Sequence, residues 1–286
     1  MAALFSRAET GAPPYVAFDI LIMLALVLLI AMLLPALLSR SVHRMKTWFN
    51  LVVVCIVYCI SFLLLLGHQS GPEPPLQLCI FQAGLIYAGP TAVAAAGFVF
   101  VVELYLRLSS TLSASQVNER HVTVLLCISP LAHSIVFWVA IFTGISEGGS
   151  RVQRGPGGLY CDIASSTPTL TNGISVIVFV LMMIVVEIYT VVYLFRKRSA
   201  LKVVEPVEGS FPLSLFIRTA CYTLAGALSI ILVVILNSPG SEKAIFESDF
   251  MAIIPLFVAL VFGSQRDIIG VYMFWKKKNP NQIDKV

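Results

Sequence analysis

Long apolar runs separated by short polar segments dominate this chain. Seven of them are close to the length of about 20 residues with which a helix crosses the hydrocarbon core of a bilayer. Short strands of alternating polarity, typical of a membrane β-barrel, do not occur. The runs cover Tyr15–Ser39, Trp48–Gly67, Leu78–Leu106, Val122–Gly144, Ile174–Phe195, Leu213–Asn237 and Ala244–Gly263. This pattern predicts an all-α membrane protein, a bundle of seven transmembrane helices.

The limits of the seventh run follow from its length. The purely apolar stretch 250–262 would give only about 20 Å of helix, too short for a core of about 30 Å. The span must therefore include Glu247 and Asp249 at one end, or Arg266 and Asp267 at the other. The motif "FGSQRD" predicts a break between helices, because a glycine is followed by polar residues. This favours the first choice.

The segment after that break predicts a short amphipathic helix on the membrane surface, from about Arg266 to Lys277. Its apolar and aromatic residues recur at helical spacing on one face, and lysines follow them. The Asn279-Pro280 pair should end it. The fourth run is interrupted by Pro130 and His133, and we interpret it as a packed helix rather than a lipid-facing one.

Charge and composition fix the expected orientation. The chain is 58% apolar and only 12% charged, too little charge for a soluble domain of this size. Basic stretches at 40–46, 195–202 and 275–278 follow spans one, five and seven, and basic loops stay in the cytosol. We therefore expect an extracellular N-terminus (1–14), the bundle (15–263), and an amphipathic helix with a cytoplasmic tail (264–286). The net charge of +4 reflects this asymmetry and does not indicate nucleic-acid binding.

Two of the six cysteines fall on the expected outer side. Cys79 begins span three, and Cys161 lies in the long loop after span four. The outside is oxidising, so a disulfide between them is permitted and would tie the loop across the mouth of the bundle. The alternative is two free thiols.

Residues that would indicate an enzyme or a cofactor are missing from the sequence. Its four histidines are scattered, span seven has no internal lysine for a retinal Schiff base, and no nucleotide-binding glycine loop occurs. We expect no enzyme, no metal and no cofactor.

Span three has the features of a central helix. Its middle, "GPTAVAAAG", consists of small residues that allow helices to approach closely in lipid. On the outer side of Pro90, Gln82, Ile86 and Tyr87 are candidates to line a ligand cavity. The alternative for Gln82 is a hydrogen bond to a neighbouring helix.

The inner half of the bundle carries charged side chains, which are unfavourable within a membrane. At the end of span three, "VVELYLRLSS" sets Glu103 four residues before Arg107, which is a favourable order for an ion pair on a helix. Glu187 lies within span five, where a carboxylate should face the bundle or lie near the cytoplasmic interface. Arg218 of span six and Arg107 are plausible partners, and we expect Arg218.

Seven spans, an outer N-terminus and a cysteine pair linking span three to the second outer loop resemble a G-protein-coupled receptor. The "FGSQRD…FW" ending resembles the orphan seven-span receptors of mushroom-forming fungi. The resemblance implies that Glu103 holds Arg107 at rest and frees it for a G protein, and that Tyr189 or Tyr193 supports the active state. Alternatively, Arg107 reaches lipid headgroups and Glu103 neutralises it. Asn-Pro-x-x-Tyr and Cys-Trp-x-Pro motifs are absent.

The resulting expectation is a multi-pass plasma-membrane receptor for a small ligand, neutral or lipophilic, that signals to a heterotrimeric G protein. Asp249 is expected near the cavity mouth, where it would bind a cationic ligand group or pair with Arg151, Arg154 or Lys243 of the outer loops. The alternative function is a seven-span small-molecule transporter or channel.

Overall fold

The computed structural model describes residues 14–39, 44–113, 115–147, 151–155, 158–197, 213–236 and 241–272. In these residues the chain forms helices and one small hairpin. The elements are α1 (Pro14–Leu38), α2 (Lys46–Leu63), α3 (Leu76–Leu112), α4 (Glu119–Leu126), α5 (Ile128–Ser146), β1 (Val152–Arg154), β2 (Cys161–Ile163), α6 (Ser166–Arg196), α7 (Leu213–Leu236), α8 (Ser241–Gly263) and α9 (Arg266–Tyr272).

The long helices have the length and apolar character of membrane spans. Among the described residues, five segments are long and apolar enough to cross a bilayer, namely α1, α2, α3, α4 with α5, and α6. The chain is therefore a helical membrane protein. Helices α7 and α8 coincide with the sixth and seventh apolar runs. The count of seven spans and their orientation stay predictions.

The fourth run is divided into two helices. Helix α4 ends at Leu126, four residues before Pro130. The proline ring clashes with the backbone carbonyl of Leu126 and has no N–H to donate to it. The expectation of a packed helix is right for one face of this segment and wrong for the other. Helix α5 packs along α3, but Trp138 and Phe142 on its outer side are 53% and 65% exposed.

Helix α3 is the centre of the bundle and packs against α2, α5 and α6. Its glycines receive large side chains from three neighbours. Gly84 faces α5, Gly89 lies against the ring of Tyr58 on α2, and Gly97 lies against Tyr222 on α7. A β-carbon on Gly97 would come within 2.5 Å of the Tyr222 ring. The small residues of span three thus allow close approach of its neighbours, as the sequence predicted.

A disulfide and a hairpin close one end of the bundle, which we call the disulfide end. Cys79 at the start of α3 is bonded to Cys161 on β2, with 5.2 Å between their Cα atoms. The predicted disulfide is therefore present. Strand β2 pairs antiparallel with β1, and the turn between them contains Gly158, whose φ of 73° favours glycine. Arg154 donates hydrogen bonds from β1 to three carbonyls of the loop 69–72.

The predicted break after the seventh run is also present. Helix α8 ends at Gly263, and α9 begins at Arg266. Gly263 approaches Met32 of α1, and the hydroxyl of Tyr272 donates to the carbonyl of Ala31. Since both ends of the 263–272 segment meet neighbouring residues of α1, α9 crosses α1 and does not continue the axis of α8.

Two expectations lie partly outside the described residues. Helix α8 includes Glu247 and Asp249, as the length argument requires, but the side chains of residues 241–250 are outside the described part. The same holds for Arg266 and Asp267, and for the whole of 273–286, which carries the expected end of the surface helix.

Candidate functional site

The end of α3 opposite the disulfide carries a half-buried ion pair. The Glu103 side chain is fully buried, whereas Arg107 is 40% exposed. The Arg107 Nε atom donates to Glu103 Oε1 at 2.7 Å, and its Nη2 atom lies 2.5 Å from the same oxygen. The predicted i,i+4 contact is present. The acid belongs to the helix interface, while the arginine reaches the surface.

The second carboxylate oxygen of Glu103 binds the beginning of α2. Thr47 donates to it from its hydroxyl at 2.6 Å and from its backbone N–H at 3.3 Å. The residue at the N-cap position of α2, Met45, makes no side-chain cap. Glu103 therefore satisfies an unpaired N–H of the first turn from another helix, where the helix dipole favours an anion. No sequence pattern indicated this partner.

Three tyrosines pack together near the same end. The Tyr105 ring of α3 lies 5.4 Å from that of Tyr189 and 6.1 Å from that of Tyr193, both on α6. The Ser109 hydroxyl also lies 3.5 Å from that of Tyr193. Both candidate tyrosines of span five therefore contact α3 within one turn of Arg107.

The expected bridge between Glu187 and Arg218 is wrong. Glu187 accepts a hydrogen bond from the Thr223 hydroxyl at 2.7 Å, which still joins α6 to α7. Arg218 instead donates to the carbonyl of Val261 and to the hydroxyl and carbonyl of Ser264. These groups lie at the end of α8, where carbonyls lack helical partners and the dipole attracts a cation. The arginine therefore joins α7 to α8.

At the disulfide end, Gln82 is a brace between elements. Its side chain is fully buried, and its amide nitrogen donates to the carbonyls of Ser61, at 3.1 Å, and Phe62. Its amide oxygen accepts the backbone N–H of Cys161 at 3.1 Å. Because both ends of the amide are used, this geometry corresponds to the alternative of a hydrogen bond to a neighbouring helix.

The remaining polar contacts here connect α3 to the hairpin and to α6. The Tyr87 hydroxyl donates to the Asp162 carboxylate, and the Thr91 hydroxyl donates to the side-chain oxygen of Asn172 at 2.9 Å. Ile86 is buried in the helix packing. The Asp249 side chain lies outside the described residues. Among the other candidate ligand residues, Gln82 and Ile86 are buried, whereas the polar contact of Tyr87 is partly exposed.

Nothing in the described residues assembles a metal site, since no three histidine, cysteine or acidic side chains come together there. No family model and no curated protein matches this chain. The function is therefore proposed from the contacts at the two ends of the bundle.

Proposed function

We propose that this chain is a seven-span cell-surface receptor that detects a small neutral or lipophilic ligand and signals to a heterotrimeric G protein. The observation that carries the proposal is the asymmetry of the Glu103–Arg107 pair. The acid is buried and bound to α2, while the arginine is 40% exposed. A surface arginine held by a buried acid is free to bind a partner protein once the acid changes its contacts.

In this proposal the Arg107 end faces the cytosol and the disulfide end faces outside. A ligand at the outer end would break the hydrogen bond of Thr91 to Asn172 or that of Tyr87 to Asp162 and replace it with bonds to its own polar groups. The first of these contacts joins α3 to α6. Its loss would let α6 shift along α3.

That shift would reach the inner end through α6 itself. Asn172 and Tyr189 are 17 residues apart on this helix, or about 25 Å of rise. Tyr189 packs on Tyr105, two residues before Arg107. Because α6 is one continuous helix with a contact at each end, a shift at the outer contact would also move the inner contact. This shift would be the change between two states that coupling of distant sites requires.

Basal coupling in cells tests the proposal without a known ligand. The chain is expressed with a panel of Gα subunits carrying energy-transfer sensors. Glu103→Gln weakens the hold on Arg107 and should raise basal coupling about fivefold, the effect of about 1 kcal/mol on a two-state equilibrium. Arg107→Ala should abolish coupling, and Arg196→Ala, at an exposed arginine of α6, should leave it unchanged.

Either of two results would overturn the receptor proposal. The first is coupling at the background of untransfected cells for the wild type and Glu103→Gln alike, with every Gα subunit and with equal surface expression. The second is unchanged coupling in Arg107→Ala. Solute flux in proteoliposomes, together with absent coupling, would instead indicate the transporter or channel.

A further inference from the structure

A second ion pair lies beside the Glu103–Arg107 pair, at the end of the bundle opposite the disulfide. It joins Lys46 at the start of α2 to Glu119 at the start of α4, with 2.9 Å between Lys46 Nζ and Glu119 Oε2. Both of its side chains are 58% exposed, so this pair lies at the surface. Exposed ion pairs contribute little to stability, and Glu119 can therefore exchange one cation for another at small cost.

The start of α2 connects the two pairs. Lys46 and Thr47 are adjacent in the chain, and while Lys46 binds Glu119, the Thr47 hydroxyl donates to Glu103 at 2.6 Å. Helix α4 packs against both α2 and α3. The Arg107 guanidinium lies close enough to the Glu119 carboxylate for their opposite charges to attract each other. Arg107 is thus attracted by two acids, one buried and bound to it, the other at the surface.

We propose that Glu119 is a second acceptor for Arg107, and that Lys46 competes with Arg107 for this acceptor. When Arg107 leaves Glu103, its exposed guanidinium turns to the surface and pairs with Glu119, unless Lys46 already neutralises that carboxylate. A partner protein binds the arginine only when neither acid holds it. Lys46 therefore favours coupling and Glu119 opposes it, although the two residues form one ion pair. The effect on coupling rests on the receptor proposal, whereas the competition between the two cations does not.

Basal coupling of the full chain in cells tests the effect on coupling. Glu119→Gln removes one acceptor of Arg107 and should raise basal coupling about twofold. Lys46→Gln leaves the Glu119 carboxylate to Arg107 and should lower basal coupling about twofold, since each change has the size of an exposed ion pair. The double variant should match Glu119→Gln, because Lys46 then has no carboxylate to occupy.

The opposite signs distinguish this role from a purely structural one. If the ion pair only held α2 to α4, both single substitutions would break the same bond and would shift coupling in the same direction. That result, or unchanged coupling in both variants while Arg107→Ala abolishes it, would overturn the proposal. The matched control is Glu147→Gln, which breaks the ion pair with Arg151 at the disulfide end and should leave basal coupling unchanged.

Stability gives a second test that needs no G protein. In the Lys46→Gln background, Glu119→Gln should still raise the unfolding constant in mixed micelles about twofold, because Arg107 has taken the place of Lys46. Adding Arg107→Leu to that background should abolish this effect. No destabilisation by Glu119→Gln in the Lys46→Gln background would overturn the competition, whether or not the chain couples. Coupling at background level in every variant would instead overturn the receptor proposal and leave the competition to be decided by stability.

Discussion

Removing Arg107 should destabilise the protein more than neutralising Glu103, although the two side chains form one ion pair. The reason is the difference in burial. Arg107→Leu leaves a fully buried carboxylate whose described partner is Thr47, and an uncompensated buried charge costs about 3 kcal/mol. Glu103→Gln leaves an arginine that is already 40% exposed and can turn to solvent. The glutamine oxygen still accepts from Thr47, so the cost is about 1 kcal/mol.

The double variant gives the decisive comparison. Glu103→Gln in the Arg107→Leu background removes the stranded charge and should restore about 2 kcal/mol, so that the double variant resembles Glu103→Gln alone. The free energy of unfolding would be measured in mixed micelles by increasing the fraction of denaturing detergent and following helicity. Arg196→Leu, at an exposed arginine of α6, should stay within about 0.5 kcal/mol of the wild type.

The reasoning on burial would be refuted by either of two results. One is an Arg107→Leu variant no less stable than Glu103→Gln, which would mean that solvent reaches the carboxylate. The other is a double variant less stable than Arg107→Leu, which would mean that Glu103 stabilises the fold even without its arginine, through Thr47.

Three further predictions test the packing. Cys161→Ser should cost about 2–4 kcal/mol and lower the thermal midpoint, and the same change at Cys79 should match it; unequal losses would mean that one thiol has another role. Gly97→Ala should cost about 1–3 kcal/mol by overpacking against Tyr222, and a Tyr222→Leu background that gives no relief would contradict this cause. Gln82→Leu should cost about 1–3 kcal/mol and speed amide exchange in the β1–β2 hairpin, whereas unchanged exchange would disprove the brace.

The sequence predicted those features that depend on local spacing or on length. The helices follow from the bilayer thickness, which demands long apolar runs. The Glu103–Arg107 contact follows from i,i+4 geometry within one helix. The break after Gly263 follows from a glycine and the polar residues behind it. The disulfide required only that two cysteines share one side of the membrane.

Contacts between helices could not be predicted in the same way. Whether Glu187 meets Thr223 or Arg218 depends on how α7 is rotated and how deep it lies, and apolar runs specify neither. Thr47 was missed as a partner of Glu103 because a threonine in the first turn of a helix has no pattern that indicates a distant acid. The exposed outer face of the fourth run was also not predicted, because a proline can break a helix on any face.

The position of the disulfide in the chain has a consequence for biosynthesis. Its two cysteines are 82 positions apart, and both precede α6, α7 and α8. During translation the covalent ring can therefore close as soon as Cys161 reaches an oxidising compartment, before the helices that follow it are complete. The partners of Gln82 and Glu103 also lie before α6. The early helices can thus mature as a covalently closed platform, to which the later helices are added by contacts such as that of Tyr222 with the carbonyl of Val93.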